Sequence, residues 1–148
     1  MFRNGREVVP EFDQEELLYL RYSAIHFVDE KLTPEAIRSD LNQSVNRGEF
    51  SEPADALFHE RGSYNGLGVI GFKVGILPEK IEPLDFPAYA FKVNHVPIED
   101  NYSHSELFSD QIPATGRHRV PGRIVKMQFK LKICTSITVG DVKIRAVR

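Results

Sequence analysis

No apolar run in this chain is longer than a few residues, and prolines and glycines interrupt it throughout. Val69-Ile70-Gly71-Phe72 is typical of what lies between the breaks. Such runs fall far short of the roughly 20 apolar residues that a membrane-spanning helix needs. The core must therefore be assembled from short pieces. Leu17-Leu18-Tyr19-Leu20-Arg21-Tyr22 is bulky, carries two tyrosines and is too short for an ordinary helix, which predicts a buried strand. Val69 to Leu77, rich in branched and aromatic residues, predicts a second, entered through the glycine-bearing loop Arg61 to Gly68. Pro78, Pro83 and Pro87 make residues 78–87 a connection, since proline cannot donate to a ladder, and Ala88 to Val96 then resumes as a strand.

Two segments carry helix-start signals. Thr33-Pro34-Glu35-Ala36 places a capping residue before a first-turn proline, and the helix is expected to be short because Asp40 and Asn42 weaken it. Ser51 to His59 repeats the pattern with acidic residues near its start. The segment Ile124 to Ile133 is ambiguous. Val125, Met127, Phe129, Leu131 and Ile133 alternate with polar residues as in a half-buried strand, whereas Val120, Ile124, Met127, Leu131 and Cys134 fall at helical spacing behind Pro121. Alternation favours the strand, and both readings stay open. Ile137 to Val139, the turn Gly140-Asp141 and Val142 to Arg145 predict a closing hairpin. The expected fold is α+β: a single compact domain over residues 1–148, with a mixed or antiparallel sheet and two or three short helices.

A chain of 148 residues with 41% hydrophobic and 27% charged residues has the size and composition of one folded domain. Cys134 is the only cysteine, so one chain can form neither a disulfide nor a cysteine zinc cluster, and the residue reads as a small buried apolar group. Residues 1–7 lack the apolar core of a secretory signal, which makes the cytoplasm the expected location.

Charge is distributed unevenly. Residues 1–116 carry 10 basic and 20 acidic side chains, a net of −10. Residues 117–148 carry Arg117, Arg119, Arg123, Lys126, Lys130, Lys132, Lys143, Arg145 and Arg148 against Asp141 alone, a net of +8. Clustered cations of this kind suit an acidic protein surface or a nucleic acid. The alternative is internal, with the basic end lying against the acidic body of the same domain.

Motifs for common chemistries are missing. Gly66, Gly68 and Gly71 satisfy G-x-G-x-x-G, but they lead into a strand instead of out of one into a helix, the wrong context for a dinucleotide site. There is neither a G-x-S-x-G nor an H-E-x-x-H pattern. The remaining cluster is Asp100, Asn101, His104 and Glu106, with His95 upstream. In an extended segment His104 and Glu106 share one face, where an imidazole and a carboxylate could form an acid–base pair or supply two ligands to a divalent metal. A polar strand face is the simpler alternative. His26, His59 and His118 stand alone in the sequence and read as structural.

Leu17 to Tyr22, Ser44-Val45-Asn46-Arg47, Gly68-Val69-Ile70 with Gly75, and Pro97 to Glu106 with its Asn-x-Ser-His-Ser-Glu core together resemble the spaced motifs of a family of small, uncharacterised bacterial proteins. The resemblance implies no activity, and it implies that the segment after the histidine motif is helical and basic.

Three functions follow as expectations. The first is a small cytosolic bacterial interaction module or accessory subunit, acting through a protein partner that Arg117, Arg119, Arg123, Lys126, Lys130 and Lys132 help to hold. The second is a metal-dependent hydrolase or nuclease using His104 and Glu106. The third is non-catalytic nucleic-acid binding through residues 117–148. No cofactor, metal site or membrane contact is assigned.

Overall fold

A computed structural model describes residues 1–3, 5–38, 42–59 and 61–147. Asp40, expected to weaken a helix, and Arg148, one of the nine C-terminal cations, lie outside the described residues.

Six strands form one antiparallel sheet: β1 (Leu17–Tyr22), β2 (Ser44–Arg47), β3 (Gly68–Lys73), β4 (Ala88–His95), β5 (His104–Ile112) and β6 (Val142–Ile144), in the order β4-β5-β2-β1-β3-β6. Strand side chains alternate between the two faces, and cross-strand partners such as Leu18 with Phe72, Leu20 with Ile70 and Ser105 with Val45 carry each face across the sheet. One face collects Leu18, Leu20, Tyr22, Val45, Ile70, Phe72, Tyr89, Phe91 and Leu107, all buried in one cluster. The single described α-helix, α1 (Arg123–Ser136), adds Val125, Phe129, Ile133 and Cys134 to that cluster. Phe129 stacks on Phe91 with ring centroids 4.2 Å apart, a pair worth about 0.5–1.5 kcal/mol beyond its buried area.

Phe12 of the N-terminal segment also packs on this cluster, and the segment is held by polar anchors. Arg47 is only 1% exposed. Its guanidinium donates to both carboxylate oxygens of Glu16 at 2.9 and 2.8 Å, to the Val9 carbonyl at 2.6 Å and to the Glu11 carbonyl at 2.9 Å, while lying 3.8 Å from the Phe12 ring centroid. The planar fork of arginine suits this bidentate, stacked geometry. Beside it, His95 accepts from the Val9 N–H at Nδ1 (2.9 Å) and donates from Nε2 to the Tyr102 carbonyl (2.7 Å).

The expected strands on β1, β3 and β4 are present, although β3 begins at Gly68 and ends at Lys73, after which Val74–Ile76 is a 3₁₀ turn. Two expectations are corrected and one open reading is decided. Instead of two or three short helices there is one α-helix among the described residues. Pro34–Ala36 and Pro53–Leu57 are 3₁₀ turns, ended where Ile37 and Phe58 turn extended. The second turn uses its start signal, Asp55 Oδ2 accepting from the Glu52 N–H at 2.8 Å, but each segment ends after a short 3₁₀ stretch, too short to propagate as a helix. Residues 123–136 are helix, not strand, because Val125, Phe129 and Ile133 at i, i+4 and i+8 form the stripe that covers the open apolar sheet face. The closing hairpin is also absent. Val139–Asp141 is a 3₁₀ turn and β6 pairs with β3. Gly68 makes that pairing possible, since a β carbon there would lie 2.5 Å from the Ile144 carbonyl oxygen and 2.6 Å from the Ala146 nitrogen.

Candidate functional site

The two groups of candidate residues lie on different sides of the sheet. His104 and Glu106 sit on β5, on the face away from α1. His104 pairs with Asn46 and Glu106 with Ser44 across β2, and Tyr19 of β1 lies beyond Asn46. The His104 imidazole does not turn to Glu106. Nδ1 donates to the Val96 carbonyl at 2.8 Å, which leaves Nε2 as the acceptor for the Ser44 hydroxyl at 3.2 Å.

Ser44, Asn46 and His104 line a cleft of about 510 Å³ that also takes in Arg21, Arg38 and Asn101. His26 and His59, which stand alone in the sequence, line the same cleft. Glu106 is not among its lining residues. Only the cross-strand register could have brought Ser44 and Asn46 to His104, and the sequence holds no trace of it. Among the described residues no three His, Cys, Asp or Glu side chains converge in a way that could hold a metal ion.

His118 accepts from the Ser109 N–H at Nδ1 (3.3 Å) within the loop after β5. That loop also carries Arg117 and Arg119, both exposed. Asp110 ties it down, accepting from the Thr115 hydroxyl at 2.6 Å and from the Thr115 and Gly116 N–H groups at 3.0 and 3.1 Å. These bonds, the Thr115 hydroxyl first, hold the Asp110 carboxyl below its ordinary range. Cys134 is buried in the core, and burial pushes its thiol up to about 11, as suits an unreactive packing residue.

Arg123, Lys126, Lys130 and Lys132 lie on α1, which contains no Asp or Glu. The ion pairs among the described residues, Arg47–Glu16, Lys73–Glu15 and Lys80–Glu82, all fall outside residues 117–147. Among the described residues, none of the cations of 117–147 is in an ion pair within 4.0 Å. Lys130 lies near Glu35, whose carboxyl is held low mainly by its own backbone and by Thr33, with Lys130 a smaller cause.

The outer face of α1 also exposes three large apolar side chains. Ile124, Met127 and Leu131, at i, i+3 and i+7, are 48, 46 and 47% exposed. The helical spacing visible in the sequence thus marks the solvent side of the helix, apart from Cys134, which is buried. An apolar hollow of about 330 Å³, lined by Phe86, Pro87, Tyr89 and Ile124, opens at the start of the helix. A second, of about 560 Å³, lies beside Leu131, Ile137 and Val139 at its end and has Asp29 and Glu30 on its rim. No described helix is long and apolar enough to cross a membrane. The chain matches no family model, no curated protein and no solved structure, so its chemistry is read from these side chains alone.

Proposed function

We propose that this protein is an interaction module whose outer α1 face docks an acidic, amphipathic segment of a protein partner. The observation that carries the reading is the exposed ridge of Ile124, Met127 and Leu131, flanked by Arg123 and Lys130 on one side and by Lys132 on the other, on a helix without a single acid. Fourteen residues span about 21 Å, the scale of a helix-in-groove or helix-on-helix contact with an apolar centre and a charged rim. The hollows at either end would receive anchoring side chains from the partner.

Charge placement supports the same reading. Arg123 stands at the first position of α1, where the helix dipole disfavours a cation, and Gly122 before it supplies no capping side chain. Arg123 does not serve the helix, and an acidic partner would offset its cost. A hydrolase built on His104 and Glu106 is less well supported, because the imidazole is engaged by Val96 and Ser44.

The test compares tagged full-length protein with a Met127→Glu, Leu131→Glu double variant, both purified from the native host. These side chains are half exposed, so the change in stability should stay within roughly 0.5 kcal/mol each. An acidic protein recovered in stoichiometric amount with the parent, and lost from the variant, is the expected result. Replacing Lys126, Lys130 and Lys132 together by Gln should weaken the same contact about tenfold. A partner retained equally by both variants would remove α1 from the contact, and recovery of nucleic acid in its place would transfer the basic face to that ligand.

A further inference from the structure

On the opposite side of the sheet the cleft around Asn46 contains a polar group that the fold leaves unused. Asn46 is 5% exposed, and its Nδ2 is buried without a hydrogen-bond partner. The orientation of the carboxamide follows from its neighbours. Asn101 Oδ1 accepts from the Ser103 N–H at 3.1 Å and from the Ser103 hydroxyl at 2.7 Å, which leaves Asn101 Nδ2 as the donor to Asn46 Oδ1 at 2.7 Å. Turning Asn46 over would set two donors against each other, so the unused atom is an N–H donor. Leaving a buried donor unpaired is costly, and native folds do so rarely.

Asn46 lines a cleft of about 510 Å³, the size of small-molecule sites. Its surroundings select the sign of the ligand. Arg21 lines it with a guanidinium that is only partly bonded. Arg21 is fixed in place by one bond to the Ala56 carbonyl at 3.3 Å and by the Tyr64 ring centroid 4.2 Å from its guanidinium carbon. That leaves further N–H groups of its fork for an oxyanion. Tyr19, Tyr22 and Tyr64 give the cleft aromatic walls, and the Ser44–His104 pair completes its polar floor.

We propose that this cleft binds a small organic anion, a carboxylate or a phosphate monoester, with one ligand oxygen accepting from Asn46 Nδ2 and its charge balanced by Arg21. This site is independent of the α1 face.

Asn46→Asp is nearly isosteric. It keeps the oxygen that Asn101 needs and converts the unused donor into an anionic acceptor, so it should repel the ligand. The full-length protein is titrated with benzoate, phenyl phosphate and uncharged benzamide while the Asn46 side-chain amide and His104 ring resonances are followed by NMR. Saturable shifts of both groups with at least one anion, and an affinity for benzamide at least tenfold weaker, are expected. The anion that binds more tightly identifies the headgroup. Asn46→Asp should weaken that binding at least tenfold with the remaining resonances unmoved. Arg21→Gln should weaken it several-fold, and decides alone if the Asp variant does not fold. Absence of a saturable shift with either anion, equal binding of benzamide, or unchanged affinity in a folded variant would overturn the assignment.

Discussion

At the residue scale, Arg47 is the clearest case of a side chain whose role depends on where the fold delivers it. It shares the apolar face of the sheet with Leu18, its partner across β1, and is buried there with Glu16 among the carbonyls of Val9 and Glu11. Burial of a charged pair is tolerated only when both members are fully bonded. Arg47→Met should therefore destabilise the protein by about 3–5 kcal/mol, because it strands the Glu16 carboxylate. Removing both charges, as Arg47→Met with Glu16→Gln, should recover part of that loss. Denaturant midpoints of the single and double variants check this, and equal midpoints would mean that Glu16 escapes to solvent. Position 47 in the sequence is one arginine among nineteen basic residues, and nothing local distinguishes it. The nearness of Glu16 follows from β1 and β2 being neighbours, which only tertiary structure settles.

At the element scale, α1 shows how two valid patterns can compete over one segment. Alternation and helical spacing are both present between 120 and 134, and the choice falls to whichever covers the exposed apolar face of the sheet. A helix does so with Val125, Phe129 and Ile133 while projecting Ile124, Met127 and Leu131 outward. Its N-terminus is poorly made for stability. Gly122 occupies the capping position with extended backbone, φ −67° and ψ 172°, and a β carbon there would meet nothing within 4 Å. Gly122→Asp should stabilise the protein by about 0.5–1 kcal/mol by capping an open N–H and countering the helix dipole. A rise in thermal midpoint checks it, and no rise would show that the first turn is already satisfied. The same substitution places an acid beside Arg123, so it should also weaken the proposed docking contact.

At the scale of the whole molecule, the sheet separates two surfaces, and its stability depends on polar anchors at the N-terminal end of the helix-bearing face. Burial holds the His95 imidazole below its ordinary value, with the bond to Tyr102 opposing in part. The neutral ring is the one that accepts from Val9. The unfolded chain takes up this proton first as pH falls, so the contribution of His95 is complete above about pH 6.5 and is lost progressively below it. Urea midpoints should accordingly fall between roughly pH 7.5 and 5.5, and His95→Gln should flatten that slope; a slope unchanged by the substitution would place its origin elsewhere. Asp110, held low by its bonds to Thr115 and Gly116, acts in a separate window and gives up its contribution only as pH falls through the carboxylate range.

Strand segments 17–22, 68–73 and 88–95 were legible because period, branching and proline breaks are local properties. The charge split was legible for the same reason, since it needs only counting. The short helices expected from Thr33 and from Ser51 are 3₁₀ turns instead, because a helix persists only where a neighbour buries its stripe. His104 could be singled out from residue types, whereas its pairing with Ser44, the unused donor of Asn46 and the cleft they share could not. Those depend on β2 lying between β5 and β1, a pairing of segments about 25 to 60 residues apart. Local chemistry thus determined which elements this chain can form and where its charge lies. Tertiary structure decided which face each element buries, because burial is a property of neighbours, and with it which polar groups remain available to a ligand or a partner.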